Sequence, residues 1–540
     1  MKIGFLASGR PWLAAVLAVG GLGLGSSAIA QEHTHDLTRL GTVEFKVECS
    51  ATAQEDFNRA MALYHSFAWN EASASFADVA AADPACGMAH WGRAMVMLDN
   101  PFLWPGNLPP DKLDAVADAL EEARSAGLTT EREQGYVEAL QAFVRDRDSL
   151  DHRSRVQAFE EAMGKVAADN PDDMEASILH ALVTSANFEP ADKTYANQMR
   201  AAEILEPLFQ SHPDHPGVAH YMIHTYDYPS LAEHGLEAAR RYAGIAPDAP
   251  HALHMPSHIF TRVGNWEDSI ASNIASAKAD GGMTLNTHHG YDYMVYAHLQ
   301  LAQDQAAQDA MQQARGATKV DHFATAFAYA AMPARLALER GEWAEAANLA
   351  LEPPADAYPW QKYPHAEAIN AFARGIGAAL SGNAAAARDQ QVRLEALREA
   401  TGPAYWVEQV EIQGDIVGAL SLCADGQVQD CIAALKQAAA REDATEKHVV
   451  TPGPILPARE LLADVLLAND QPAEALTEYA VVLAKEPNRY RAVAGAMEAA
   501  KKAGDLDKAR AHAAHLLKQA GKADSERASL QSAQRIGPRQ

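Results

Sequence analysis

The chain has 540 residues and a formal net charge of −26. That length exceeds what one globular core sustains, so several domains or a repeat array is required. The acidic balance argues against nucleic acid and anionic lipid as partners, and 7% aromatic content with abundant Ala, Leu, Glu, Gln and Arg favours helix.

Residues 1–30 read as a secretory signal. Lys2 and Arg10 supply positive charge, Leu13 to Leu24 an apolar run, and Ala28-Ile29-Ala30 a small-residue cleavage site. The run is too short and glycine-rich for a membrane anchor, and no later segment is apolar enough to span a bilayer. Cleavage removes Lys2 and Arg10 but no acid, so −26 becomes −28. The expectation is a soluble exported protein, in a bacterial periplasm or secreted.

Residues 31–52 form an N-terminal segment that begins, after cleavage, Gln31-Glu32-His33. A free amine, two amides and a third-place imidazole make a square-planar nitrogen set suited to copper, with His35 as a further donor. Cyclisation of Gln31 would remove the amine. Four cysteines fit export, and pairing Cys49 with Cys86 and Cys423 with Cys431 is geometrically reasonable, although four cysteines allow three connectivities and buried free thiols remain open.

Residues 53–170 start with a helical hairpin: Ala60, Leu63, Trp69, Ala72, Phe76 and Pro84 are spaced for helix, turn, helix and a closing proline. Ala72, Phe76 and Val79 share one face of the second helix. The Pro101-Phe102-Leu103-Trp104-Pro105-Gly106 stretch then reads as a long loop, and the helices after it carry weaker patterns. Residues 171–350 hold Gly264-Asn265-Trp266 and Gly341-Glu342-Trp343 with Ala346. Residues 351–520 open on a loop, Pro353 to Pro364, whose Tyr358, Trp360 and Tyr363 suit it to capping or filling a groove. They continue with Gly382-Asn383 and Ala387, then Ala475, Tyr479, Pro487 and Gly504-Asp505-Leu506 with Ala509. Ala475 to Ala509 is 34 residues. Residues 521–540 are a tail.

This alternation of small residue, aromatic and terminal proline at a 34-residue period resembles the tetratricopeptide repeat family. The resemblance covers most of residues 53–520. It implies an all-α, tetratricopeptide-like helical-hairpin superhelix, an α-solenoid whose first helices line a concave groove. A closed α/α toroid is the alternative, which the strict spacing disfavours. The family's usual partners are peptides, so chemistry must come from a site.

That site is a histidine ladder. His220-Tyr221-Met222-Ile223-His224 and His254-Met255-Pro256-Ser257-His258 are both H-x-x-x-H, and both equivalent pairs lie 34 residues apart. Pro216 and Pro250 precede them at equal offsets, as at a helix start. An i, i+4 spacing puts both imidazoles on one face. Neighbouring helices pack at about 8–10 Å, so His220, His224, His254 and His258 can converge as ligands for zinc or copper. Asp227 can join them. In the third repeat two registers compete. One aligns His288 with His220 and Asp292 with His224. The other, which the Asp280-Gly281-Gly282 loop favours, sets His288 and His289 at the helix entrance and Tyr293 in the groove. His65 faces the groove further along.

Other signals are weaker. Met222, Met255 and the methionines around His90 suit core packing better than Cu(I); His180, His234 and His298 suit structural or exposed places. His448, Glu460 and Asp464 belong to a distant repeat. No phosphate-binding loop, G-x-S-x-G or H-E-x-x-H motif occurs. Three functions follow: an exported protein binding a transition metal, small ligand or peptide in its groove; a protein–protein interaction scaffold without metal; and a metal-dependent enzyme built on the same histidines.

Overall fold

The computed structural model describes residues 37–103, 108–189 and 191–537. The expected signal, residues 1–30, the N-terminal copper candidates Gln31, His33 and His35, and Trp104 to Gly106 of the first loop lie outside them. The described residues are all-α: 73% of them are helical, and no strand occurs among them. No described helix is long and apolar enough to cross a membrane.

Antiparallel helix pairs follow one another in chain order, each packed on the next. The first pair shows why. Ser50 caps the helix Ala51–His65 by accepting the Ala53 N–H, and the chain turns at Phe67 into Trp69–Ala82. Ala72, Phe76 and Val79 of that second helix are fully buried. Phe76 occupies the notch left by Gly92 on the following helix, Gly87–Met97; a methyl group there would come within 2.3 Å of the ring. Tyr479 fills the notch of Gly495 in the same way near the other end. A glycine beside an aromatic therefore sets how closely successive hairpins approach, and filling it costs about 1–3 kcal/mol.

The stack curls until distant hairpins touch. Helix Ala51–His65 packs on Pro216–Tyr226, and Tyr490–Lys502 packs on Leu285–Gln300. Buried ion pairs lie where the curl closes: Arg489 reaches Glu339 at 2.6 Å and Glu460 at 2.7 Å, and Arg335 reaches Asp292 at 2.9 Å. Arg491 reaches Asp464 at 2.5 Å, so the two acids of that distant repeat serve arginines.

Three segments outside the hairpins extend the packing. Residues 37–49 run extended, with Leu37, Leu40, Val43, Phe45 and Val47 turned inward. The loop after Pro353 folds back: Trp360 and Tyr358 are buried, and the Trp360 indole donates to the Pro353 carbonyl at 2.9 Å. Residues 528–536 form a helix, and Ser525 beside it donates to the Ala302 carbonyl at 3.1 Å. Cys49 pairs with Cys86 and Cys423 with Cys431.

Candidate metal centre

Both H-x-x-x-H motifs lie on the first helix of their hairpins. Pro216 opens the helix Pro216–Tyr226 and Pro250 opens Pro250–His254, each within the first turn, where a missing N–H costs nothing. Pro256 then starts a second short helix, Pro256–Arg262, so the second ladder rung spans a break in the helix.

The four histidines do not form one quartet. Each pair anchors a separate trio, His220, His224 and His251 in one and His254, His258 and His289 in the other. Within each trio the ligating nitrogens lie within 4.8 Å of one another, so each can hold a metal ion. The trios are neighbours: ring centroids of His224 and His258 are 6.1 Å apart, and those of His251 and His254 are 6.2 Å apart. All but His251 are essentially buried. The ladder therefore sits inside the curl rather than on an open groove. Phe102 stacks on His224 at 3.8 Å, Phe67 stacks on His251 at 5.2 Å, and Lys447 and Thr451 approach from the far repeats.

Hydrogen-bond partners assign the protons in these rings. His254 Nδ1 lies 2.6 Å from Asn273 Oδ1. The Asn273 amide donates its own hydrogens to the Ser269 carbonyl at 2.8 Å, which fixes Oδ1 as acceptor and His254 Nδ1 as donor. His258 Nδ1 donates to Asp227 Oδ2 at 2.9 Å. Both rings consequently present bare lone pairs at Nε2, and those two nitrogens face each other at 3.0 Å. Two lone pairs in contact repel; the Tyr293 hydroxyl, 3.4 Å from His258 Nε2 and 3.3 Å from the Thr451 carbonyl, can serve one of them, whereas a cation satisfies both. In the first trio, His220 Nδ1 donates to the His65 carbonyl at 2.6 Å, leaving its Nε2 bare toward His224 at 3.1 Å and His251 at 3.2 Å. There a proton on either neighbour can fill the contact.

Separations of 3.0–3.2 Å are close to the edge of a nitrogen tetrahedron. With metal–nitrogen bonds of about 2.0–2.1 Å that edge is about 3.3 Å. Orientation of the ligand ring through Nδ1 is also how protein sites fix metal-binding histidines.

Electrostatics keep the rings neutral. Burial, reinforced by neighbouring imidazoles, holds His220, His224, His251 and His289 well below the ordinary histidine range and brings His254 down to about 3. His258 is lowered too, by burial against the opposing pull of Asp227. Burial alone would raise Asp227, but Lys447 and Arg262, each 2.8 Å away, hold it well below its ordinary value. Burial brings Lys447 down to about 8 despite that partner.

Of the remaining sequence candidates, His289 joins a trio, with its Nδ1 unpartnered. His288 turns away against Tyr329, with centroids 4.8 Å apart. Tyr293 lies against His258 while Asp292 binds Arg335, which matches the register that treats Gly281 and Gly282 as a loop. His65 belongs to another cluster, with Glu175 and His215. His90 pairs with Glu122 at 3.0 Å, and Met222 and Met255 are core residues. Sequence reasoning missed His251, Asn273, Lys447 and Arg262. His251 precedes His254 by one helical turn, a visible signal, but it has no counterpart one repeat earlier, where Gly217 stands.

A second feature lies beyond Arg262 and Lys447, a cavity of about 80 Å³. One water needs only about 10–15 Å³ by the same measure. Phe327, Phe372 and Ile416 give it an apolar wall, and the Gln409 Nε2, Gln413 Oε1 and His365 Nε2 atoms have no partner.

Fold and site together define a tetratricopeptide-like α-solenoid with a polyhistidine interior. No protein-family model matches the chain, and no curated protein sequence matches it. Among solved structures it is similar to the human IFIT1 dimer with PPP-AAAA, at 11% identity and TM-score 0.36, covering 87% of this chain and 91% of that one. It is also similar to the APC/C hetero-tetramer Cut9-Hcn1, at 14% identity and TM-score 0.33, covering 83% and 76%. The P58(IPK) TPR domain aligns at 12% identity and TM-score 0.20, over 90% and 98%. Likenesses at this level decide nothing about function, and the fold rests on the hairpin packing itself.

Proposed function

We propose that this is an exported α-solenoid that binds a transition metal, zinc or copper, at its interior histidine trios. The observation that carries the proposal is the His254–His258 contact. Two Nε2 lone pairs oppose each other at 3.0 Å while both Nδ1 protons are committed elsewhere. A metal ion satisfies both nitrogens, whereas adding a proton works against the burial that lowers both rings. Two disulfides support the export reading, because such bonds persist in oxidising compartments.

Elemental analysis of protein purified from its own host tests the proposal. Metal should accompany the chain, and a His224→Ala, His258→Ala double variant, which removes one ligand from each trio, should lose it. Negligible metal in the native protein, with no effect of chelator on the melting temperature, would overturn it.

The cavity favours a second reading, a bound small molecule with an apolar body and both a hydrogen-bond donor and an acceptor. Native mass spectrometry of the host-derived protein, compared with its denatured mass, should then show a retained organic ligand. A peptide lying along the ladder is disfavoured, since those imidazoles are buried. The enzyme reading requires substrate to reach a trio, each of which offers three imidazoles and leaves further metal positions free.

A further inference from the structure

We infer that the two trios act as one coupled pair of copper ions that binds dioxygen between them. This rests on the metal-binding reading above and adds the metal, the stoichiometry and the ligand.

Number comes first. Six imidazoles divide three and three, and no ring belongs to both groups. A single ion takes four such ligands at most in tetrahedral geometry, so one ion would leave buried imidazoles unused beside it. The trios also lie side by side, with cross-trio centroid separations of 6.1 and 6.2 Å. Each ion then has its three protein ligands from its own trio, and its open side borders the other.

Charge decides the metal. The ligands are all neutral imidazoles, with no thiolate or carboxylate among them. Asp227, the acid bonded to His258, is already matched by Lys447 and Arg262. Two divalent ions would bring four positive charges into a buried, aromatic-walled space that offers no net negative charge, at a large desolvation cost. Two Cu(I) ions bring half that charge, and imidazole trios accept copper readily. The casing of Phe67, Phe102, Tyr242 and Tyr293 packs against these rings and limits water around them.

Dioxygen completes the balance. Each Cu(I) gives one electron to O2, so two Cu(II) ions and one peroxide dianion result. No proton is needed and no atom leaves. The two negative charges of the peroxide arrive together with the two extra positive charges on the metals, so the net charge of the buried unit does not change. A small apolar diatomic also suits entry past aromatic side chains better than a hydrated anion does.

The test uses the full chain with its disulfides intact, so ascorbate rather than a thiol serves as reductant. Protein is loaded anaerobically with Cu(I), desalted and exposed to oxygen. The expected result is two coppers per chain, uptake of one O2 per two coppers, a peroxide-to-copper charge-transfer band and no electron paramagnetic resonance signal, because the two Cu(II) spins couple. A His289→Ala variant should retain one copper, give the resonance of an isolated Cu(II) and lose the band. His251→Ala removes a ligand from the other trio and should do the same if His289→Ala fails to fold. Two coppers with independent resonance signals, a single copper, or zinc binding without copper would each overturn the coupled pair while leaving metal binding intact. Binding of neither metal would overturn both.

Discussion

Two buried histidine clusters of this molecule, one around Glu175 and the other the trio of His254, His258 and His289, resolve their hydrogen bonds in opposite ways. Around Glu175 every atom has a complementary partner. His65 Nε2 and His215 Nε2 approach the two carboxylate oxygens at 3.0 and 2.8 Å, the Tyr221 hydroxyl donates to His65 Nδ1 at 2.8 Å, and the Val218 N–H donates to His215 Nδ1 at 3.3 Å. This cluster needs no ion. In the trio of His254, His258 and His289, two lone pairs meet and a third ring has an unpartnered Nδ1. Proximity of histidines is common to both. What differs is where the second nitrogen's proton goes, and that separates a structural cluster from a candidate metal site.

Acid should expose the largest difference. The six ladder histidines are held below the ordinary histidine value by burial, so between that value and their folded one the unfolded chain binds protons that the native one does not. Stability therefore rises with pH in this window, is complete above about pH 6.5 and is lost below it, by up to about 1.4 kcal/mol per histidine per pH unit. Glu175 has the other sign of charge. Burial pushes its carboxyl up, but His215 and His65 outweigh it and hold the folded value below the unfolded one, so its contribution is lost only as pH falls below about 4.5. His65 itself behaves like the ladder, lowered by burial. Denaturation midpoints of chelated protein at pH 7.5, 6.5 and 5.5 should fall steeply with acid. A His251→Phe, His289→Phe double variant should flatten that fall, and an unchanged slope would break the comparison.

Next in size is removal of the bridge. Glu175→Leu leaves two buried imidazole N–H groups without acceptors and should cost about 3 kcal/mol or more. His289→Phe in chelated protein should change stability by less than about 1 kcal/mol, because it removes a ring whose Nδ1 had no partner. Equal losses would mean that the two clusters are alike.

Metal removal is expected to have a somewhat smaller effect. With free metal at about 100 times its dissociation constant, binding stabilises the native state by about 2.7 kcal/mol. Chelation should lower the melting temperature of the wild-type chain and leave that of the His224→Ala, His258→Ala variant unmoved. Glu175→Leu, if folded, should keep the chelator response.

The ladder itself was legible in the sequence because a duplicated hairpin writes its duplicated residues at a fixed interval, and Pro216 and Pro250 mark the same helical turn. The division into trios was not. His251 has no partner one repeat earlier, and the break at Pro256 turns the following residues by an amount no periodicity records. Lys447 lies 220 residues from Asp227 and meets it only because the stack curls back on itself, a consequence of small inter-hairpin rotations summed over many repeats. The glycine notches at Gly92 and Gly495 belong to the same class, because the aromatic that fills each comes from the preceding hairpin.

A similarly small effect on the metal-free fold, but the sharpest on the chemistry, is expected from Asn273. Its side chain touches no proposed metal position, yet it sets the His254 tautomer, since its amide group is pinned by the Ser269 carbonyl and can only accept from Nδ1. In Asn273→Leu that proton is no longer held. His254 is then free to carry its hydrogen on Nε2 and donate it across the 3.0 Å gap to His258. Relief of the lone-pair contact offsets part of the lost hydrogen bond, so the metal-free protein should lose no more than about 1 kcal/mol. Metal must now displace that proton and find a ring with looser orientation, and its affinity should fall by about 10- to 100-fold, as for other outer partners of ligating histidines. Titration of metal into chelator-buffered protein, paired with melting of the metal-free form, reads both quantities. An unchanged affinity would show that Nδ1 was never committed, and the opposed lone pairs would lose their standing as the mark of a metal site.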